Sequence, residues 1–225
     1  DDLVSDEDAG RLFRTDFFPG LGWMLRRELW QELSPRFPLE HWDHWMRLRS
    51  TSKGRDCVVP MVSRNYNIGV NGANMQSSQY NRYLKRIRYN TQADVQLEDL
   101  ASVLSDAYET SLHQLVAEAA PNHHAAGSEG LGPKGLAKRE DAPAHVLYTY
   151  TADTFAKLAS QLGIWQVPRA THRHTAVIRY RRTTFVLASS RWSPYLPEQL
   201  RTSLPSEAFF ATGSAAQSCD SACKA

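Results

Sequence analysis

Cysteine is scarce in this chain, three in 225 residues. That is too few for a disulfide framework, so stability has to come from a buried core. Long apolar runs are missing too: no stretch of about 18 apolar residues occurs, which leaves nothing to span a bilayer. Nor does one sign of charge dominate, because 26 basic and 24 acidic residues leave a net charge of +2. Polyanion binders carry a larger or more clustered excess, so nucleic acid is not the leading partner. GxxxxGK[ST] is absent, which excludes a phosphate loop of that type. The opening residues Asp1-Asp2-Leu3-Val4-Ser5-Asp6 carry no initiator Met, basic n-region or apolar h-region. No targeting signal is read there, and a chain that opens this way is expected to be a piece of a longer protein. What is there is 42% hydrophobic and 22% charged, with 12 Gly and 11 Pro. This is a globular composition, long enough for one sizeable core and not that of a disordered or collagenous chain.

The pattern divides the chain into an acidic start over residues 1–10, a periodic, aromatic-rich block to 118, a breaker-dense stretch at 119–144, a second periodic block from 145, and a Ser/Ala-rich tail over 203–225. Leu25, Leu29 and Leu33 fall on one face of a helix over Met24–Leu33, ended by Ser34-Pro35. A second helix is predicted from Pro38 through Arg47. Cys57–Val62 reads as a strand edged by Pro60. Leu97, Leu100, Leu104, Tyr108, Leu112, Leu115 and Val116 mark a long amphipathic helix. Pro121, Gly127, Gly130, Gly132, Pro133, Gly135 and Pro143 recur too fast for an element, so 119–144 is expected to be a dispensable linker. Beyond it, His145–Tyr150 reads as a strand and Asp153–Leu162 as a helix, capped by Thr151 or Asp153 and stopped by Gly163. Thr175–Tyr180 and Thr183–Ala188 read as two strands joined at Arg181-Arg182. Mixed strands and helices point to α/β or α+β architecture.

Three stretches carry residues with chemical potential, each beside a plain packing explanation. Pro19-Gly20-Leu21-Gly22 is a tight turn before a helix, where a ligand can approach the backbone, or simply a helix start packed by aromatics. In His41-Trp42-Asp43-His44-Trp45-Met46, a carboxylate stands between tryptophans. Burial beside rings is expected to raise its proton affinity and suit it to accept a proton from a hydroxyl. The alternative makes Trp42, Trp45 and Met46 core and Asp43 a solvated neighbour. His41 and His44 have metal-ligand spacing but no third ligand at a recognised distance. The loop from Arg64 to Asn74, with Asn65, Asn67, Asn71, Asn74, Gly69 and Gly72, offers donors to phosphate or sugar hydroxyls, or is an ordinary surface loop. Lys85-Arg86-x-Arg88 and Arg179-x-Arg181-Arg182 read as solvated faces and a hairpin turn. Cys57 sits in an apolar run and reads as a buried thiol or as one half of a bridge to a residue outside the chain.

Taken in order, Phe13-Arg14-Thr15-Asp16-Phe17-Phe18-Pro19-Gly20-Leu21-Gly22-Trp23, then Trp42-Asp43, Gly54-Arg55-x-Cys57 and Val62-Ser63-Arg64 closely resemble the Golgi N-acetylglucosaminyltransferase I family. The sister protein O-mannose β-1,2-N-acetylglucosaminyltransferases share this order. The likeness is dense from Leu12 to Ile87 and returns around Ile164-Trp165 and Ser193-Pro194-Tyr195. It implies the carboxy-terminal part of a nucleotide-sugar-binding, Rossmann-like α/β fold, ending in a small mixed subdomain over 145–202. It implies an inverting transfer of GlcNAc from UDP-GlcNAc to the 2-hydroxyl of an α-mannose on an N-glycan. An O-mannose acceptor and a non-catalytic carbohydrate-binding module are the alternatives. By position, Asp43 matches the catalytic base. Trp42 and Leu21 match residues packing on the donor's N-acetyl group, and Gly72 and Asn74 a segment over the nucleotide-sugar. Asn74 stands where the family commonly has Ser, and His44 replaces a second Asp. The resemblance further implies a Mn2+ cofactor, with ligands expected upstream of this chain, an upstream disulfide partner for Cys57, and a lumenal Golgi location through an N-terminal membrane anchor. Asp6-Glu7-Asp8 lacks the preceding apolar strand and is not assigned the metal.

Overall fold

The computed structural model describes residues 4–70, 76–97, 99–127 and 132–203. Gly72 and Asn74, together with Cys219 and Cys223, lie outside the described residues. A four-stranded sheet dominates the second half, with β3 (His123–Ala125), β4 (His145–Tyr150), β5 (Thr175–Tyr180) and β6 (Thr183–Ser189) in the order β3-β4-β6-β5. β3, β4 and β6 run parallel, and β5 closes the sheet as an antiparallel hairpin partner of β6. β4 is buried on both faces from Val146 to Tyr150, as a central parallel strand covered on both sides should be. Its side chains alternate. Val146, Tyr148 and Tyr150, with Phe185 and Leu187 of β6, pack against Phe155, Leu158, Ala159 and Leu162 of α7 (Ala152–Leu162). Leu147, Val186 and Ala188 point the other way, onto Leu112, Val116 and Ala119 of α5 (Ser105–Ala119). The two helices thus sandwich the sheet, and the mixed α/β class predicted from the sequence holds.

The expected helix over Asp153–Leu162 begins one residue earlier. Thr151 and Thr154 cap each other across the first turn, and Gly163 ends the helix in the left-handed region at φ 73°. The long helix predicted from Leu97 is shorter than expected. Asp99 turns left-handed at φ 37° and accepts the Ser102 N–H, so Leu100–Val103 forms a 3-10 turn and α5 starts only at Ser105. An Asp side chain bonding nearby backbone competes with the helix in this way. Leu97, Leu100 and Leu104, the first three positions of the predicted stripe, are exposed.

The stretch 119–144 differs more from expectation. His123–Ala125 is the parallel neighbour of β4, and α6 (Pro133–Leu136) follows with Pro133 buried. Three residues between a proline and a glycine are too few for a periodicity to register, and their place in the sheet is set by β4. This part of the expected linker is core edge.

The first half is built on a two-stranded antiparallel ribbon, β1 (Leu12–Thr15) with β2 (Cys57–Pro60). Between its two strands the chain forms α1 (Arg27–Leu33), α2 (Trp42–Arg47) and the single turn α3 (Arg49–Ser52), and α4 (Ser77–Arg82) comes after β2. α2 does not begin at Pro38: His41 adopts φ 52°, a left-handed residue that re-aims the chain, and Leu39 is left fully exposed. Phe18, Leu33 and Met46 form a small core with Trp23, Leu25, Leu29, Phe37, Trp42 and Trp45. The ribbon is welded to the sheet by polar contacts. Asp16 N–H and Thr15 Oγ1 both donate to the Thr171 carbonyl, at 3.0 and 2.7 Å, and Asp16 Oδ2 accepts the Arg173 N–H at 2.9 Å.

Candidate active site

The Pro19-Gly20-Leu21-Gly22 turn needs both glycines. Gly20 and Gly22 have φ of 77° and 56°, a region that side chains with a Cβ rarely occupy. Space is equally limiting. A Cβ on Gly20 would lie 3.3 Å from Arg47 Nη2 and 3.8 Å from Asp43 Cβ, while one on Gly22 would collide with the Asn65 amide. The turn therefore lies directly against α2 on one side and against the 63–70 loop on the other. Asn65 Nδ2 donates to the Leu21 carbonyl at 3.2 Å, and Asn67 Oδ1 accepts the Gly69 N–H at 2.8 Å. Two of the loop's amides, read from the sequence as donors to a ligand, thus shape the protein instead. Leu21 itself projects into solvent, 49% exposed.

Trp42 and Asp43 open α2. The Trp42 ring meets Trp23, Phe18 and Phe37 at centroid distances of 5.6, 6.2 and 6.4 Å, an aromatic cluster that fixes its plane. Met46, one turn later, is buried beneath it. Asp43 faces away from that core and is half-buried. Arg47, four residues on, donates from Nη1 to Asp43 Oδ2 at 2.7 Å and from Nε to the Phe18 carbonyl at 3.0 Å. Sequence reasoning missed Arg47, although an acid–base pair at i, i+4 was a readable signal.

The electrostatics correct one expectation. Burial does push the Asp43 carboxyl upward, but the Arg47 hydrogen bond, the His44 backbone N–H and the charges of both residues outweigh it and hold it below its ordinary 3.8. The carboxylate is ionised at neutral pH, and its proton affinity is lowered where the sequence led us to expect it raised.

A second arginine approaches from the loop before β5. Arg169 lies over Phe17 at 5.3 Å and over Trp165 at 4.7 Å, while Arg47 covers Phe17 at 4.7 Å. Trp165 in turn packs on Tyr83, centroids 4.7 Å apart. The loop between α7 and β5 thereby reaches the Phe-Phe-Pro-Gly stretch, a juxtaposition invisible in a linear sequence.

The acidic start finds cationic partners. Asp8, 3% exposed, pairs with Arg179 at 3.0 Å and Arg11 at 3.3 Å, and Asp6 pairs with Arg88 at 2.7 Å. One arginine from each basic cluster is thus engaged within the molecule. His41 and His44 rings contact each other at 6.2 Å. Among the described residues no three His, Cys, Asp or Glu side chains group closely enough to hold a metal ion.

A turn carrying Leu21, an aromatic-walled Trp42 and an ionised Asp43 converge at one surface, and the likeness read from the sequence extends over nearly all of the chain: the family model described as GNT-I family matches residues 1–199. The chain belongs to the GNT-I family. Over 183 residues it is 33% identical to an alpha-1,3-mannosyl-glycoprotein 2-beta-N-acetylglucosaminyltransferase of Arabidopsis thaliana. That match covers 78% of this chain but 39% of the relative, so the GNT-I chain described here spans well under half of that protein's length.

Proposed function

We propose that the full-length protein is an inverting N-acetylglucosaminyltransferase, moving GlcNAc from UDP-GlcNAc to the 2-hydroxyl of an α-mannose on N-glycans in a β-1,2 linkage. Within it, this chain supplies the base and the wall that packs against the donor's N-acetyl group. GNT-I membership and the name of the Arabidopsis relative support the reaction class. The observation that carries the role of this chain is Asp43, ionised and half-exposed beside the Trp42 ring and the Gly20 turn.

In an inverting displacement the acceptor oxygen attacks the anomeric carbon opposite the leaving diphosphate. The attacking hydroxyl becomes acidic as its bond to carbon forms, and Asp43 takes the proton at that moment. Trp42 and Leu21 hold the N-acetyl group, Trp42 with its plane fixed by three neighbouring rings and Leu21 with its apolar face free. The segment bearing Gly72 and Asn74, outside the described residues, is given to the nucleotide-sugar on the resemblance. Manganese is the metal the resemblance implies; the described residues do not make a site for it, and the steps given to this chain do not pass through it. A lumenal Golgi location belongs to the same proposal. No helix among the described residues is long and apolar enough to cross a membrane.

The test is Asp43→Asn in the full-length enzyme. Asn keeps the shape but cannot take a proton, so kcat is expected to drop by about 10²–10⁴-fold, the usual worth of general-base assistance, with UDP-GlcNAc still bound. A correctly folded Asp43→Asn enzyme with near-normal turnover would return Asp43 to the role of a solvated neighbour.

A further inference from the structure

Arg47 is held at more points than an i, i+4 surface pair requires. Its Nη1 donates to Asp43 Oδ2 at 2.7 Å, its Nε donates to the Phe18 carbonyl at 3.0 Å, and its Cζ lies 4.7 Å from the Phe17 ring centroid. The side chain is 23% exposed. An ordinary exposed pair leaves both side chains free to wander and contributes little. Here the planar fork of the guanidinium is anchored at two edges and one face, an arrangement a lysine cannot reproduce.

This arrangement treats the two oxygens of Asp43 differently. Oδ2 is engaged by Arg47, and His44 Nε2 stands 3.9 Å from the same atom, beyond hydrogen-bond reach. The His44 backbone N–H also bonds the carboxylate, and among the described residues no side chain donates to Oδ1. The Phe18 carbonyl that Arg47 also grips belongs to the residue just before Pro19-Gly20-Leu21, so one guanidinium joins α2 to the turn that carries Leu21.

We propose that Arg47 is a positioning residue: it holds Oδ2 of Asp43 so that Oδ1 is the atom that takes the acceptor proton, and it fixes that atom relative to the Leu21 turn. The proposal rests on the reading of Asp43 as the base. In the step itself the acceptor O–H bond breaks and its proton goes to Oδ1. The freed electron pair forms the bond to the anomeric carbon, and the bond from that carbon to the diphosphate oxygen breaks with its electrons on the leaving UDP. A carboxylate free to rotate would offer either oxygen at a range of angles; one pinned at Oδ2 offers a single direction, and reactions of this kind are sensitive to placement at the ångström scale.

The test pairs a titration with turnover, so that the contact and the base reading are judged separately. In the chain itself, the carboxyl carbon of Asp43, followed by 13C NMR, is expected to titrate below 3.8 in the wild type, to move upward in Arg47→Gln, and to stay low in Arg47→Lys, which keeps the charge. In the full-length enzyme, kcat is expected to fall about tenfold to a hundredfold in both variants, with the KM for UDP-GlcNAc little changed. The positioning role is thus separated from the charge: lysine restores the titration but not kcat. A folded Arg47→Gln enzyme with unchanged kcat overturns the proposal, as does Arg47→Lys with wild-type kcat. Full turnover by Asp43→Asn removes the base reading instead, while the titration still reports whether Arg47 grips Oδ2.

Discussion

Trp42 and Asp43 are neighbours in sequence with opposite surroundings, and their substitutions should separate accordingly. Asp43 faces solvent on a helix whose other face is Met46 and aromatic core, so Asp43→Asn should leave the fold intact and act on chemistry. Trp42 is itself part of that core, in contact with Phe18, Trp23 and Phe37. Trp42→Ala should therefore cost stability, about 2 to 3 kcal/mol, below the ~3–5 of a fully buried Trp because the ring is half-exposed. It should also raise the KM for UDP-GlcNAc. Trp42→Phe keeps an aromatic in the cluster and should recover most of the melting temperature but only part of the donor affinity. Equal recovery of both would show that Trp42 acts through packing alone. Trp42, Asp43, Leu21 and the glycine turn were readable because they are contiguous and distinctive. Arg169 was not, since it meets Phe17 only after about 150 residues of intervening chain have folded. The direction of the Asp43 shift was misjudged for a related reason: sequence displays the rings beside a carboxylate, but not whether a guanidinium bends back to it.

At the scale of elements, legibility followed length and flanking signals. β4, β5 and β6 were read nearly to the residue because each is a run rich in β-branched and aromatic residues. α7 was read through its candidate N-caps, Thr151 or Asp153, and its glycine stop, of which Thr151 and Gly163 serve. β3 was not, and it makes a prediction. The chain there is bound to the sheet at several points: Ala126 N–H donates to the Thr149 carbonyl at 2.7 Å, Asn122 Nδ2 to the His145 carbonyl at 3.1 Å, and His123 Nε2 lies 2.8 Å from Thr149 Oγ1. Burial, with the His124 charge beside it, pushes the His123 imidazole below its ordinary 6.5, favouring the neutral ring in the sheet. Excising 121–127 strips β4 of its neighbour and leaves backbone donors and acceptors unpaired along a buried strand. Thermal denaturation should show a loss well above the ~0.5 kcal/mol of a typical surface change. An unchanged melting temperature would restore the view of this segment as a linker.

For the whole molecule, the joint between ribbon and sheet is polar and buried, which makes its strength depend on pH. His172, 2% exposed, lies between two carboxylates, Nε2 at 2.8 Å from Glu109 Oε1 and Nδ1 at 3.7 Å from Asp56 Oδ2. Glu109 on α5 also accepts from Tyr195 at 2.6 Å and pairs with Arg173 at 3.1 Å, while Asp56, next to β2, holds Arg14 at 2.8 Å. Residues from α5, the loop before β5, the segment after β6 and the ribbon thus meet in one network. Burial raises the Glu109 carboxyl, but the Tyr195 and His172 hydrogen bonds and the Arg173 and His172 charges prevail and hold it below its ordinary 4.5. Asp8, at the Arg179 contact, is likewise lowered, burial being outweighed by the Ser5 backbone and hydroxyl bonds and by Arg179 and Arg11. A carboxyl with a depressed folded pKa binds protons more readily when unfolded, so its contribution is complete above the unfolded value and is lost as pH falls through the folded one. For Glu109 and Asp8 the decline therefore begins near pH 4.5 and continues below 3.8. Melting temperatures measured from pH 7 to pH 3 should stay level at first and then drop steeply. Glu109→Gln should melt lower at pH 7, because the charge facing Arg173 and His172 is gone, and should lose less on acidification, because the group that protonates has been removed. A Glu109→Gln profile parallel to that of the wild type throughout would show that acid sensitivity arises elsewhere than at this joint.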